Sequence, residues 1–584
     1  MRKIILSLVV ASLCVICTRS WAASTSINIA INVTGSSQPT ITALTLSNTT
    51  YTSSTKGTVV GDLVLSGANN SAATFALSGP DAVRFQLSSP CSGTSCSLEA
   101  SGAEPDGYHD GKFLVFITPT LAGARGSGVV YPFTVNETVA CNQTVASGGT
   151  ETQIADAISA ASAGQNVCFA DGGSFTISST VTVSKAVRLT GVNAKTTPAN
   201  TVSGQIAAFI VTASNVTIDH LNAGGTIPAS PPSDVCNTSL SEFIYVGGNI
   251  TGPAVRYNKT NSFMCTYQYG DSTGGPTGVV HQYNYDSGTG YVNVLFDHAS
   301  GAAGANQVSN NWWQNGTPAS GETNLYPFAI SSDTVSAGVT FTNNIATNNP
   351  LWHCYDAHGG TDIRYISNYA LACLATTTGV INMGPPPAET RPRINNNFID
   401  LGNLTFNCCD ALVDLATSGT TINCTGGDGN GCQAMNNTEL FSNPGCTLNP
   451  IGAQGGTING TYTVSGNNCS GAPATMAPPV LTTDQPSDGF VAGQSNGVIG
   501  KITVTVTPPF PSYVGGWPNY GGWPGTFSLG GPDAARFQIC VDGQHLCQAA
   551  GGTGPGSYNI TITGTLNGLS NSPQTSGTIT LTGT

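Results

Sequence analysis

Apolar and polar residues alternate over short stretches along most of this chain. VVGDLVLSG (Val59 to Gly67) and VIGKITVTV (Val498 to Val506) alternate with period two, as half-buried strands do. One segment departs from that period. In ETQIADAISAASAGQNVCF (Glu151 to Phe169), Ile154, Ala157, Ile158 and Ala161 recur at helical spacing, which predicts a single amphipathic helix. Short strands follow it in SFTISSTVTVSKAVRLTGV (Ser174 to Val192) and AAFIVTASNVTIDHLNAGG (Ala207 to Gly225). The pattern predicts an all-β protein with one helix at the head of its middle region.

An asparagine follows a short strand again and again through that middle region: Asn258, Asn284, Asn311, Asn344, Asn368 and Asn397. The spacings are 26, 27, 33, 24 and 29 residues, the period of a solenoid coil. Asparagines stacked at one turn satisfy each other's amides, and asparagine tolerates a left-handed backbone. These residues therefore read as structural. A second strand comes twelve to fourteen residues after each marker, and this register places His298 and His358 each 14 residues after theirs. Coils stacked in that register would put the two histidines on one line, two rungs and roughly 10 Å apart.

The order of helix, short strands and small turns resembles the right-handed parallel β-helix of the pectate-lyase-like superfamily over roughly 330 residues. The resemblance implies architecture and leaves chemistry open, since many activities share the fold. The polygalacturonase-like set (N-T-D, D-D, G-H-G, R-I-K) is absent as a set. The pectate-lyase R-x-P-x-x-R is absent too: TRPRI (Thr390 to Ile394) looks similar but lacks the arginine at the right spacing.

A repeat frames this region. TFALSGPDAVRFQL (Thr74 to Leu87) matches TFSLGGPDAARFQI (Thr526 to Ile539) at ten of fourteen positions. With the late strand GSYNITITGT (Gly556 to Thr565), these segments resemble the cadherin-like β-sandwich. The family's acidic calcium motifs are missing, and Asp81 and Asp533, each after Gly-Pro, read as turn caps. The expected organisation is a signal peptide over 1–22, a sandwich over 23–138, a right-handed parallel β-helix over 139–472 and a second sandwich over 473–584.

Composition sharpens this picture. Arg2 and Lys3 precede an apolar run to Cys17 and a Ser20-Trp21-Ala22 cleavage site, with Ala23 as alternative, so the mature chain is expected in the periplasm, at the cell surface or secreted. Of 18 cysteines, 16 remain, an even number that suits disulfides in an oxidising compartment. Spacing suggests Cys91–Cys96, Cys141–Cys168, Cys236–Cys265, Cys354–Cys373 and Cys540–Cys547. Cys408, Cys409, Cys424, Cys432, Cys446 and Cys469 pair among themselves in an order left open. No metal or cofactor is expected. Lysine and arginine total 17 against a net charge of −13, which argues against nucleic acid and anionic lipid as partners, and no membrane insertion is expected.

The densest chemistry is LWHCYDAHGG (Leu351 to Gly360). Asp356 and His358 alternate onto one strand face. With Asp297 and His298 they form the candidate catalytic set, His358 as base and Asp356 as its orienter. Trp312, Trp313, His353 and Arg364 are candidates for substrate binding, with Arg391 and Arg393 nearby in sequence. Only eight lysines and arginines lie between Cys141 and Cys469, few for an acidic-sugar groove, so neutral glycans are favoured over uronates. The expected partner is a polysaccharide or cell-surface glycan, handled by a lyase or glycoside hydrolase. The competing readings are a non-enzymatic surface protein, with Trp517, Tyr520 and Trp523 as a binding loop, and a structural one in which the sandwiches cap the solenoid ends. In a further competing reading, Cys354 and the paired glycines make the decapeptide a braced coil corner.

Overall fold

The structure is a computed structural model. It describes residues 39–584 apart from 53–55, 80, 94, 103–110, 171, 193–198, 230–235, 237–240, 332–335, 374–380, 384–388, 402–412, 415–420, 441–450, 453–456, 471–472, 484–488, 491, 495–496, 508–524 and 541–542. The signal segment, the Trp517 to Trp523 loop, Cys408, Cys409 and Cys446 lie outside the described residues.

The middle of the chain winds through three parallel sheets of twelve, eleven and ten strands. One coil contributes a strand to each: Val280–Gln282 to the first sheet, Tyr285–Ser287 to the second and Val292–Phe296 to the third. Each strand pairs in parallel with its counterpart on the next coil. This is a parallel β-helix. The second-sheet strands, such as Trp312–Gln314, directly follow each ladder asparagine and are often only three residues long. Spacing alone does not reveal them, because three residues carry too little alternation.

The asparagine ladder is continuous. Asn258 Nδ2 donates to Asn284 Oδ1 (3.2 Å), Asn284 to Asn311 (3.0 Å), Asn311 to Asn344 (2.9 Å), Asn344 to Asn368 (3.0 Å) and Asn368 to Asn397 (3.2 Å). It runs on through Asn437 to Asn467. Each Oδ1 also accepts the backbone N–H of the asparagine one coil earlier, and each Nδ2 reaches a carbonyl on the first sheet. The left-handed residue is the one before the asparagine: Tyr257, Tyr283, Asn310, Asn343, Ser367, Asn396 and Asn436 have φ of 54–58°. The ladder asparagine serves by its amide, and its neighbour makes the turn.

Inside the coils, side chains stack in register. Phe209, Ile244, Tyr267, Val294, Phe328, Tyr355 and Ile381 form one line of the third sheet. Phe328 and Tyr355 stack at 5.2 Å, Tyr269 and Phe296 at 4.7 Å, and Phe341 and Tyr365 at 4.8 Å. Polar groups interrupt this core, Asp286 among them. Asp286 is fully buried and accepts from the hydroxyls of Thr260 and Tyr267 and from Asn293 Nδ2. Burial pushes its carboxyl up to about 7.

The helix Glu151–Ala160 closes the N-terminal end of the coil stack. Ile154 and Ile158 enter the core, Thr150 and Gln153 form a capping box, and Lys185 Nζ caps the C-terminus at Ala161 O (3.0 Å). The two repeats lie in two-sheet modules at the chain ends, each with an apolar core shared between its sheets. Asp81 and Asp533 do not cap their own turns. Asp81 Oδ2 accepts Leu114 N (2.6 Å) and Asp533 Oδ2 accepts Asn559 N (2.7 Å), tying each turn to a distant strand.

The second module does not sit on an end of the solenoid. Its Ala474, Met476, Val506, Leu566 and Leu569 cover Trp312, Ile345, Tyr369, Leu371, Phe398 and Leu440 on the outer face of the second sheet. The two modules also meet through Leu114 and Phe116 against Val498, Cys540 and Cys547, with Phe116 edge-on to His545 at 4.9 Å. All five disulfides suggested by spacing form, and Cys424–Cys432 supplies a sixth among the described residues.

Two outcomes follow. Asn344→Ala removes the partner of Asn311 N and Asn311 Nδ2 in a closed interior, so urea denaturation should show a loss of about 2–4 kcal/mol. A loss below about 1 kcal/mol would contradict the role given to the ladder. Asp286 has a folded pKa raised above its unfolded value. The native state therefore holds the extra proton, and its contribution is full at low pH and lost as pH rises through about 7. Asp286→Asn should flatten the fall in stability between about pH 4 and 7, measured by denaturation at each pH.

Candidate functional site

The candidate site is the outer face of the third sheet at the strand Tyr355–Ala357. Tyr355 and Ala357 point into the core, so Asp356 faces outward between them. The strand is held hard. Tyr355 Oη donates to Asn344 O (2.9 Å) and Tyr369 O (3.0 Å), and Tyr365 Oη crosses the interior to Asp356 O (2.8 Å). Cys354 joins Cys373 at the end of the second-sheet strand Tyr369–Cys373. Gly359 and Gly360 have φ of 99° and 123° and turn the chain toward the first sheet. The braced corner and the polar pair are thus parts of one construction.

Asp356 Oδ2 lies 3.0 Å from His358 Nε2. The carboxylate is 2% exposed and the imidazole 21%, so the ring is the part that meets solvent. Tyr326, on the preceding coil, stands edge-on to His358, to Trp352 and to Tyr291 at 6.4, 6.4 and 5.7 Å. These half-buried rings make an aromatic wall beside the pair. Tyr326 and Tyr291 were not singled out by sequence, because tyrosines in alternating strands look like ordinary strand residues.

The pairing corrects the expected line of histidines. Phe296 pairs with Ile330 and Ile330 with Ala357. One residue further on, Asp297, Ser331 and His358 share a line, while His298 falls one position out of it. The cause is counting: coils differ in length before the third strand, so equal distance from the asparagine does not mean equal rung position. Asp297 therefore lies two rungs, roughly 10 Å, from His358. Two coils further toward the N-terminus, Tyr245 Oη donates to Asp271 Oδ2 (2.5 Å). Burial pushes that hydroxyl up, helped by Asp271, Glu242 and Asp297. The hydrogen bonds of Thr273 and Tyr245 hold Asp271 below the usual carboxylate range.

The expected substrate-binding residues separate. Trp313 faces the solenoid interior, where its Nε1 donates to Thr289 Oγ1 (3.0 Å). Trp312 is buried under the second module. His353 is buried against the ring of Trp352. Arg364 lies on the first sheet, 3.7 Å from Asp428, which Arg393 also grips, and Arg391 pairs with Asp362 at 2.7 Å. Trp312, Trp313 and Arg364 do not face the Asp356–His358 pair. Their types suggested sugar contacts, but strand parity and the coil corner send them to other faces.

Charge is divided by sheet. The third-sheet strands carry no lysine or arginine. Of the described basic residues of the solenoid, Arg188, Arg256, Arg364 and Arg393 are on the first sheet, Lys259 is on the second, and Lys185 and Arg391 are in turns.

No protein-family profile and no curated protein matches the chain. Among solved structures, it is similar at 11% identity to an alginate lyase from Paenibacillus sp. str. FPU-7, covering 55% of this chain and 99% of that one, with a TM-score of 0.24. It is similar at 13% identity to the catalytic domain of a GH87 alpha-1,3-glucanase in complex with tetrasaccharides (74% and 89%, TM-score 0.29). The Dettilon tailspike protein matches at 14% identity (73% and 82%, TM-score 0.26). At these scores the likeness says nothing about chemistry.

The placement of the tryptophan rings has a direct test. Trp312→Ala opens a hole between the second sheet and the second module and should cost about 3–5 kcal/mol in denaturation. A change within about 0.5 kcal/mol would contradict its burial at that contact.

Proposed function

We propose that this is an exported protein that binds a neutral polysaccharide along the outer face of the third sheet, with His358 and Asp356 placed for proton transfer. The observation that carries the proposal is the 3.0 Å Asp356–His358 pair beside the aromatic wall of Tyr326 and Trp352. Aromatic faces stack on sugar rings, and a carboxylate-oriented imidazole is a general base near neutral pH. A lyase acting on a uronate also needs a cation to hold the substrate acid. The third-sheet strands offer none and the acids around Tyr245 would repel the substrate, so hydrolysis of a neutral chain fits better. Asp297, in line with His358, is the second acid in this reading.

The alternative is a binding protein without turnover. It is favoured by the 2% exposure of the Asp356 carboxylate, which leaves only the imidazole to meet a ligand. A resemblance of the flanking modules to cadherin-like sandwiches suits both readings.

A glycan array with reducing-end and unsaturated-product assays on the purified protein separates the two. The hydrolase reading expects new reducing ends without unsaturated product. His358→Ala should lower that rate about 10²–10⁴-fold with folding retained. Binding without turnover supports the alternative, and no binding to any neutral glycan rejects both.

A further inference from the structure

Glu242 begins the third-sheet strand Glu242–Val246 and pairs in register with Cys265 on the next coil. It is wholly buried, and neither carboxyl oxygen has a hydrogen-bond partner among the described residues. Cys236 and Cys265 pack with Met264, Val292, Ala319 and Ala329. Cys265 is joined to Cys236, and a carboxylate oxygen of Glu242 and the two sulfurs all lie within 4.8 Å of one another. A buried carboxyl without a partner is costly, and in the disulfide form none of the described residues offsets that cost.

We propose that Cys236, Cys265 and Glu242 form a latent site for a thiophilic divalent metal such as Zn²⁺, closed by the disulfide and opened by reduction. A phosphine or dithiol supplies the two electrons. With a phosphine, the S–S bond breaks, the phosphine takes oxygen from water to become its oxide, and each sulfur gains a proton. Metal binding then displaces the two thiol protons and the carboxyl proton to solvent, leaving two thiolates and a carboxylate as ligands. Tetrahedral Zn²⁺ with these ligands needs donor atoms roughly 3.3–3.8 Å apart, which the cluster meets once the sulfurs part and the carboxylate closes in. The fourth position would be water. Zinc ligation gives the Glu242 carboxylate the partner it lacks in the oxidised form, and the inference is independent of the glycan reading.

The test uses the full chain, oxidised or treated with tris(2-carboxyethyl)phosphine, and Zn²⁺ or Co²⁺ alone. Other disulfides also open, so the reference is the Cys236→Ser/Cys265→Ser variant treated alike. The reduced parent should bind one more equivalent of metal than this reference, and Co²⁺ should give a thiolate charge-transfer band absent from it. Glu242→Gln should weaken this extra equivalent by at least about tenfold with the β-sheet signal unchanged. Equal stoichiometry in parent and reference, undiminished affinity in Glu242→Gln, or loss of the β-sheet signal on reduction before metal binds would each overturn the proposal.

Discussion

Everything on the solenoid surface depends on one repeated hydrogen bond: the side-chain amide of one coil's asparagine meeting the amide of the next. From Asn284 to Asn467 each amide accepts a backbone N–H and a neighbouring Nδ2–H, and donates to a carbonyl of the first sheet. A corner between two short parallel strands exposes backbone groups that no ladder of strand hydrogen bonds can satisfy. In a buried corner each of these needs a partner. The asparagine supplies both donor and acceptor on a short stem, and it repeats because the requirement repeats. At the first of these turns the position is Leu221, whose N–H is taken by Asn258 Oδ1 (3.1 Å), so the ladder has a definite start.

The ladder fixes the corner between the first and second sheets and leaves the rest of the coil free to vary in length. Third-sheet positions are set by strand pairing, and that is where the Asp356–His358 pair, the aromatic wall and Asp297 come together. The second sheet has another task. Its outer face is apolar at Trp312, Ile345, Tyr369 and Phe398, and the second module covers it. The first sheet gathers arginines that pair with aspartates. Three faces of one solenoid thus carry three kinds of surface, and the third combines half-buried aromatics with a carboxylate–imidazole pair whose ring meets solvent.

Much of the architecture was legible from spacing. The asparagines, the capping helix with Ile154 and Ile158, and five disulfides follow from period, helical face and cysteine separation. Asp356 and His358 were legible as a pair, because strand alternation brings residues two apart to one side. What spacing missed is what depends on coil length and on contacts between distant segments. His298 counts to the same number as His358 yet falls out of line. Trp312 and Trp313 look alike in sequence but face opposite sides of one strand, one into the second module and one into the lumen. Glu242 gave no signal, because its place beside Cys236 and Cys265 depends on how the next coil pairs with its strand.

Hydrogen–deuterium exchange with and without a panel of neutral oligosaccharides tests the central claim most directly. The account predicts added protection confined to the third-sheet side, over 291–298, 326–331 and 352–358, with the arginine-bearing strands of the first sheet unchanged. Protection centred on 364–366 and 391–395, or none on the third-sheet side with a glycan demonstrably bound, would contradict it.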